Sequence, residues 1–177
     1  MSFVQNVTNT MKYSVASVVL AASVFSAPAQ AKEDNRDYVT GYIGYFDVIR
    51  NKYESTQFGI EYRARAIQYS IRPVFGVNVT TDEAVYGYAG LNWDAELIEN
   101  QLYLIPSFAA GLYRKGDGRD LGGAIEFRSG IELAYQFPNA HRLGAQFNHI
   151  SNASIYDRNP GSETAMITYS IPLDNFR

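Results

Sequence analysis

From Asp37 onward, apolar and polar residues alternate in runs of about ten, and each run is closed by a polar turn. Side chains two apart on an extended strand share a face, so this alternation marks strands with one apolar and one polar face. Over 54–64, Phe58, Ile60 and Tyr62 fall on one side, with Gln57, Gly59, Glu61 and Arg63 on the other. Over 84–94, Val85, Gly87, Ala89, Leu91 and Trp93 alternate with Tyr86, Tyr88, Asn92 and Asp94. Over 163–173, Ala165, Ile167, Tyr169 and Ile171 alternate with Thr164, Met166, Thr168 and Ser170. The pattern predicts eight strands, at 37–48, 54–64, 67–79, 84–94, 102–114, 123–137, 142–151 and 163–173. Between them stand Arg50-Asn51-Lys52, Thr80-Thr81-Asp82-Glu83, Gly116 to Asp120 and Pro138 to His141, all good turn material. Helical periodicity is poor, and Trp93 to Asn100 reads as a turn joining the fourth and fifth strands.

Two architectures fit this pattern. A soluble β-sandwich would bury the apolar faces, whereas a closed membrane barrel would turn them to lipid. The barrel would then fill its lumen with Glu61, Arg63, Glu126, Arg128 and Gln146. The N-terminus favours the barrel. Lys12 precedes an apolar run from Tyr13 to Phe25, followed by Ala29-Gln30-Ala31, which reads as an export signal cleaved after Ala31. Met11 is an alternative start, and the apolar run falls short of the roughly 20 residues a spanning helix needs. Cleavage leaves residues 32–177 as one domain. An exported chain of amphipathic strands is most simply a closed barrel, the sheet form that satisfies every backbone group in lipid. The expected fold is therefore all-β, an eight-stranded antiparallel transmembrane β-barrel in a Gram-negative outer membrane. With both termini periplasmic, the 151–163 connection lies outside the cell.

Composition narrows the function. Fourteen Tyr and ten Phe suit the aromatic girdles of such a barrel. Without cysteine there is neither a disulfide nor thiolate chemistry. The whole chain carries a net charge of −3, and the leader holds one lysine and no acid, so the mature chain is more acidic still. A nucleic-acid partner, which demands a basic surface, is excluded on that ground.

The candidate chemistry lies at Asn148-His149-Ile150-Ser151-Asn152-Ala153, with Asn159-Pro160-Gly161 and Glu163 after it. His149 and Ser151 share the apolar face of their strand with Leu143, Ala145 and Phe147. In an antiparallel hairpin, a register that sets Glu163 beside His149 is available, because directly opposed side chains lie about 4.5–5.5 Å apart at Cβ. Ser151 would then be the nucleophile and His149 its base, with Glu163 orienting the imidazole. Asn152, Asn159 and Gly161 offer amide donors for an oxyanion hole.

These residues resemble the lipid A 3-O-deacylases, the PagL-like outer-membrane barrels. The resemblance is most specific over 121–173, including Phe127-Arg128, and over the first four strands it rests on barrel pattern and length. It implies an eight-stranded barrel with its active site on the lipid-facing wall. Ser151 would be the nucleophile, His149 the base and Glu163 the third member. Asn152 and Asn159 match the family's asparagines and are oxyanion-hole candidates. Ser154 stands where a small residue, often glycine, is expected. The implied reaction is hydrolysis of the primary acyl ester at position 3 of lipid A in lipopolysaccharide, with no metal or cofactor. Lipid A carries phosphates, so Lys52, Lys115, Arg119 and Arg158 are candidate headgroup contacts. Outer-membrane lipid surrounds the chain, and a homodimer is a compatible assembly. The alternative is a non-enzymatic small barrel serving in adhesion or membrane structure, and a third, weaker option is a different lipid enzyme.

Overall fold

The computed structural model describes residues 34–173, so the expected export signal over 1–31 lies outside the described residues. The strands are β1 (Tyr38–Phe46), β2 (Ser55–Arg63), β3 (Ile71–Thr80), β4 (Val85–Trp93), β5 (Ala95–Ile98), β6 (Leu102–Arg114), β7 (Ile125–Gln136), β8 (Arg142–Ser151) and β9 (Ser162–Pro172). Each pairs antiparallel with its neighbours, β1 closes on β9, and β4 pairs with β6. β5 continues β4 past a break at Asp94 and stays on β6, so the sheet is a closed barrel of eight strands. Closure removes every free edge, which lipid would not tolerate.

The expected strands are present, with two differences. The stretch 93–100, expected to be a turn, contains β5, because Ala95 and Glu96 keep pairing with Leu104 and Tyr103 after the break. β3 starts at Ile71 rather than 67, because Tyr69 and Ser70 both take positive φ (52° and 61°) in a tight turn closed by Gln68 and Ile71. Two successive left-handed residues form the hairpin turn that normally selects Asn-Gly. Here an exposed Tyr and a Ser occupy it, so the turn carries no sequence signal.

The barrel is inside-out relative to a soluble protein. Ile43, Phe58, Ile60, Phe75, Phe108, Leu112, Ile131, Leu133 and Ile167 face outward and are exposed, forming the apolar wall. All five polar residues expected in the lumen are buried, joined by Arg72, Asp94, Glu132 and Arg142. Buried charge is costly unless it is paired, and most of these groups are. Glu61 accepts from Arg63 (2.7 Å), Arg128 (2.9 Å), Tyr88 (2.8 Å) and Asn92 (3.2 Å), and Arg63 also reaches Glu132 at 2.7 Å. Near the chain termini, Arg72 and Arg142 both bind Asp94 at 2.7 Å. Both also reach Asp34 at 3.1 Å, which pins the segment before β1 into that end of the lumen.

The two ends of the barrel differ. At the end where β1 begins and β9 finishes, the connections are 64–70, 99–101 and 137–141; the opposite end has the short turn 81–84 and the three longest connections, 47–54, 115–124 and 152–161. Barrels of this type keep short turns on the periplasmic side and longer loops outside. The candidate site lies at the long-loop end.

Candidate active site

β8 carries the site because its alternation holds to its last residue. Arg142, Gly144, Gln146, Asn148 and Ile150 point inward, and Leu143, Ala145, Phe147, His149 and Ser151 point outward. On β9, Glu163 opens the outward face that continues through Ala165 and Ile167. The register pairs His149 with Glu163 directly. Their side chains meet, with His149 Nδ1 3.1 Å from a Glu163 carboxylate oxygen. The imidazole is 46% exposed and the carboxylate 15%, so this contact sits at the surface of the wall rather than in the lumen. Ser151 lies two residues further along the same outward face of β8. Ser151 itself pairs with Phe127 on β7.

Gly161 explains how the ring is held. It is buried, has φ +57°, and a Cβ there would stand 2.9 Å from His149 Cε1 and 3.5 Å from Nε2. The imidazole therefore packs against bare backbone. A residue without Cβ serves both the left-handed conformation and the close approach.

The two oxyanion-hole candidates occupy different positions. Asn152 is fully buried, and its amide donates to the carbonyls of Leu121 (2.9 Å) and Arg158 (2.8 Å) and accepts from the Ser154 amide at 3.0 Å. Its side chain is thus committed to holding the loop. Asn159 is exposed, accepts from the Asn152 backbone at 3.0 Å and donates to Ser154 Oγ at 3.3 Å. Ala153 and Ser154 both take positive φ (52° and 62°), in keeping with the glycine expected at 154.

The headgroup candidates also separate. Lys52 and Lys115 are exposed at the long-loop end. Arg158 is exposed and lies 3.6 Å from Asp120. Arg119 is only 5% exposed; its guanidinium pairs with Asp47 and donates to the Pro160 carbonyl at 3.4 Å. The structure thus assigns Arg119 to the loop framework, away from solvent.

Two neighbours escaped sequence reasoning. Ser129 on β7 stands directly opposite His149 on the side away from Glu163, and it too is exposed. Only the β7–β8 register reveals it. Asp47, at the end of β1, is buried with four donors on its carboxylate. Its place in the chain, over a hundred residues from Ser162, gives no hint that the two are bonded.

Three comparisons bear on this geometry. A curated relative, the lipid A deacylase PagL of Bordetella bronchiseptica (strain ATCC BAA-588 / NCTC 13252 / RB50), is 34% identical over 50 residues. That stretch is 28% of this chain and 28% of the relative, so the match spans little more than a quarter of that protein's length. The crystal structure of the outer membrane enzyme PagL superposes with a TM-score of 0.61 at 16% identity, covering 76% of this chain and 99% of that one. A de novo designed transmembrane β-barrel superposes at 0.53 with 13% identity, covering 81% and 99%. At these identities both solved structures speak for the fold, an outer-membrane-type β-barrel. The model of the family described as "Lipid A 3-O-deacylase (PagL)" matches residues 40–172, nearly the whole described barrel, and the chain belongs to that family.

Proposed function

We propose that this chain hydrolyses the 3-O-linked primary acyl ester of lipid A, with Ser151 as nucleophile, His149 as general base and Glu163 as the residue that orients the imidazole. The observation that carries this reading is the 3.1 Å contact between His149 Nδ1 and Glu163, made on the lipid-facing wall beside Ser151. In a Ser-His-acid arrangement the acid fixes the tautomer, leaving Nε2 to take the hydroxyl proton. Ser151 Oγ would attack the ester carbonyl, and His149 would accept its proton and pass it to the departing sugar 3-hydroxyl. Water would then attack the acyl-enzyme by the same route and release a 3-hydroxy fatty acid. Donors to the intermediate's oxyanion are worth several kcal/mol when well aimed. Asn152 is fully buried with its amide bonded to two loop carbonyls, whereas Asn159 is exposed and its amide donates only to Ser154 Oγ, so Asn159 is the better side-chain candidate, with loop backbone amides beside it.

The outward placement suits the substrate. Below the triad the wall presents Phe147, Ala165, Ala145, Ile167 and Ile131, which line an apolar groove of about 670 Å³. A lipid reaching the wall laterally keeps its acyl chains in hydrocarbon while its ester meets Ser151. Lys52, Lys115 and Arg158 supply cations on the headgroup side, and no metal or cofactor enters this chemistry.

The test uses refolded wild type, Ser151→Ala and Ser129→Ala with lipopolysaccharide, read by mass spectrometry of lipid A. Loss of one 3-hydroxyacyl chain with wild type and Ser129→Ala, but not with Ser151→Ala, supports the assignment. Activity that survives in Ser151→Ala and vanishes in Ser129→Ala transfers the nucleophile to β7. Intact lipid A with folded wild-type protein removes the deacylase reading and favours the non-enzymatic barrel.

A further inference from the structure

The loops at the site end are tied together by one buried ion pair. In the closed strand order, β1 and β6 lie four strands apart in either direction, so they face each other across the barrel. The connection 115–124 after β6 nevertheless reaches β1. Tyr113 Oη donates to the Arg119 carbonyl at 2.8 Å, Leu121 is buried among Phe46, Tyr113 and Ile150, and Arg119 pairs with Asp47. Asp47 is fully buried with φ 62°, and its other oxygen accepts the backbone amides of Lys52 (3.2 Å) and Tyr53 (3.0 Å). The pair therefore joins the 47–54 and 115–124 connections across the barrel mouth.

The same pair grips the segment that carries Glu163. Ser162 Oγ donates to the Asp47 carboxylate at 3.2 Å, and Arg119 donates to the Pro160 carbonyl at 3.4 Å. The Val48 amide donates to the Glu163 carbonyl at 3.2 Å. Ser162 points inward and Glu163 outward, so fixing Ser162 sets the angle at which Glu163 leaves the sheet toward His149. Between these anchors lies Gly161, on which the imidazole packs.

We infer that Asp47 and Arg119 are positioning residues for catalysis: their buried ion pair, through Ser162 and Pro160, holds Glu163 in contact with His149. The inference rests on the triad reading above. Neither side chain touches substrate, and both act through Glu163. Charge is needed here because one carboxylate must order four donors from two connections and the start of β9, and charge-assisted bonds are the strong, short-range means of doing so.

The experiment is a double-mutant cycle on the refolded full-length barrel with lipopolysaccharide as substrate. Asp47→Asn and Arg119→Met are each made alone and in a Glu163→Gln background, with KM and kcat measured separately. A small misplacement of a catalytic group costs about 10- to 100-fold, and that loss is expected in kcat with KM within about 2-fold. In the Glu163→Gln background either substitution is expected to cost less than about 2-fold, since the group it positions is gone. Equal losses in both backgrounds would reduce the pair to a structural role and overturn the inference, as would wild-type kcat in Asp47→Asn. Should Asp47→Asn fail to fold, Ser162→Ala, which removes only the hydroxyl link, carries the same cycle. If Glu163→Gln itself leaves kcat at the wild-type level, the triad reading fails, an outcome distinct from additive losses around an essential Glu163.

Discussion

Replacing Gly161 by alanine tests the site with a single methyl group. The new Cβ would lie 2.9 Å from His149 Cε1, about 0.5 Å inside ordinary van der Waals contact. Backbone cannot yield easily, because Gly161 is flanked by Ser162, bonded to Asp47, and by Pro160, whose carbonyl holds Arg119. The ring must therefore retreat. Its bond to Glu163 is 3.1 Å, already longer than the roughly 2.7–2.9 Å of a strong charge-assisted bond, so a further shift breaks it. The left-handed φ of +57° adds about 1–2 kcal/mol of strain for a residue with Cβ. Gly161→Ala should thus lower kcat by about 10- to 100-fold while costing only that modest strain in stability. Initial rates of acyl release, set beside urea unfolding in micelles, separate the two effects. A variant that keeps kcat within 2-fold of wild type would show that the imidazole is not held where the geometry places it.

Three further outcomes follow from the lumen and the loop. Glu61→Gln leaves Arg63 and Arg128 facing each other with one acid fewer, and breaking a buried pair costs about 3–5 kcal/mol; urea titration should show it, and a loss under 1 kcal/mol would mean that water screens the lumen. Asn152→Ala removes two donated bonds and one accepted bond, so amide exchange over 153–156 should accelerate while the strands stay protected; unchanged exchange would sink the loop-holding role. At Asp34 burial alone would raise the pKa, but hydrogen bonds from Arg36 and Tyr38 and the charges of Arg72 and Arg142 outweigh it and hold the pKa below 3.8. Its stabilisation is therefore present above about pH 4 and is lost as the pH falls through the lowered value. The melting-temperature gap between wild type and Asp34→Asn should be constant at neutral pH and close in acid; a gap that widens there has the sign wrong.

What the sequence disclosed follows its periodicities. β6 and β8 begin and end where alternation predicts, because each is bounded by clear turn chemistry. The lumen residues Glu61, Arg63, Glu126, Arg128 and Gln146 were legible because charge on alternate positions of an otherwise apolar strand has one place to go. Where a rule of turn chemistry is broken, as at Tyr69-Ser70, the strand end was misplaced. His149, Ser151 and Glu163 lie within fifteen residues, and the hairpin register that sets His149 beside Glu163 could be read from them. Ser129, Asp47 and Arg119 were beyond reach because their roles depend on pairing between strands distant in the chain. Arg119 in particular looks like any loop cation until its partner is known.

The inside-out construction also bears on why the site can stand on the outer wall at all. A hydrolase in water excludes solvent by burying its site in a cleft, whereas here hydrocarbon does so from one side. The wall needs only a few polar groups near the interface, where lipid-facing charge costs little compared with mid-depth. Precision then has to come from behind. His149 and Glu163 are set by a β8–β9 register whose inward neighbours Asn148 and Thr164 are themselves bonded at 3.2 Å, and by the mouth clamp one residue further on. The polar lumen thus helps to fix the register that sets His149 beside Glu163. A one-residue slip of β9 would send Glu163 inward and leave the imidazole without its acid.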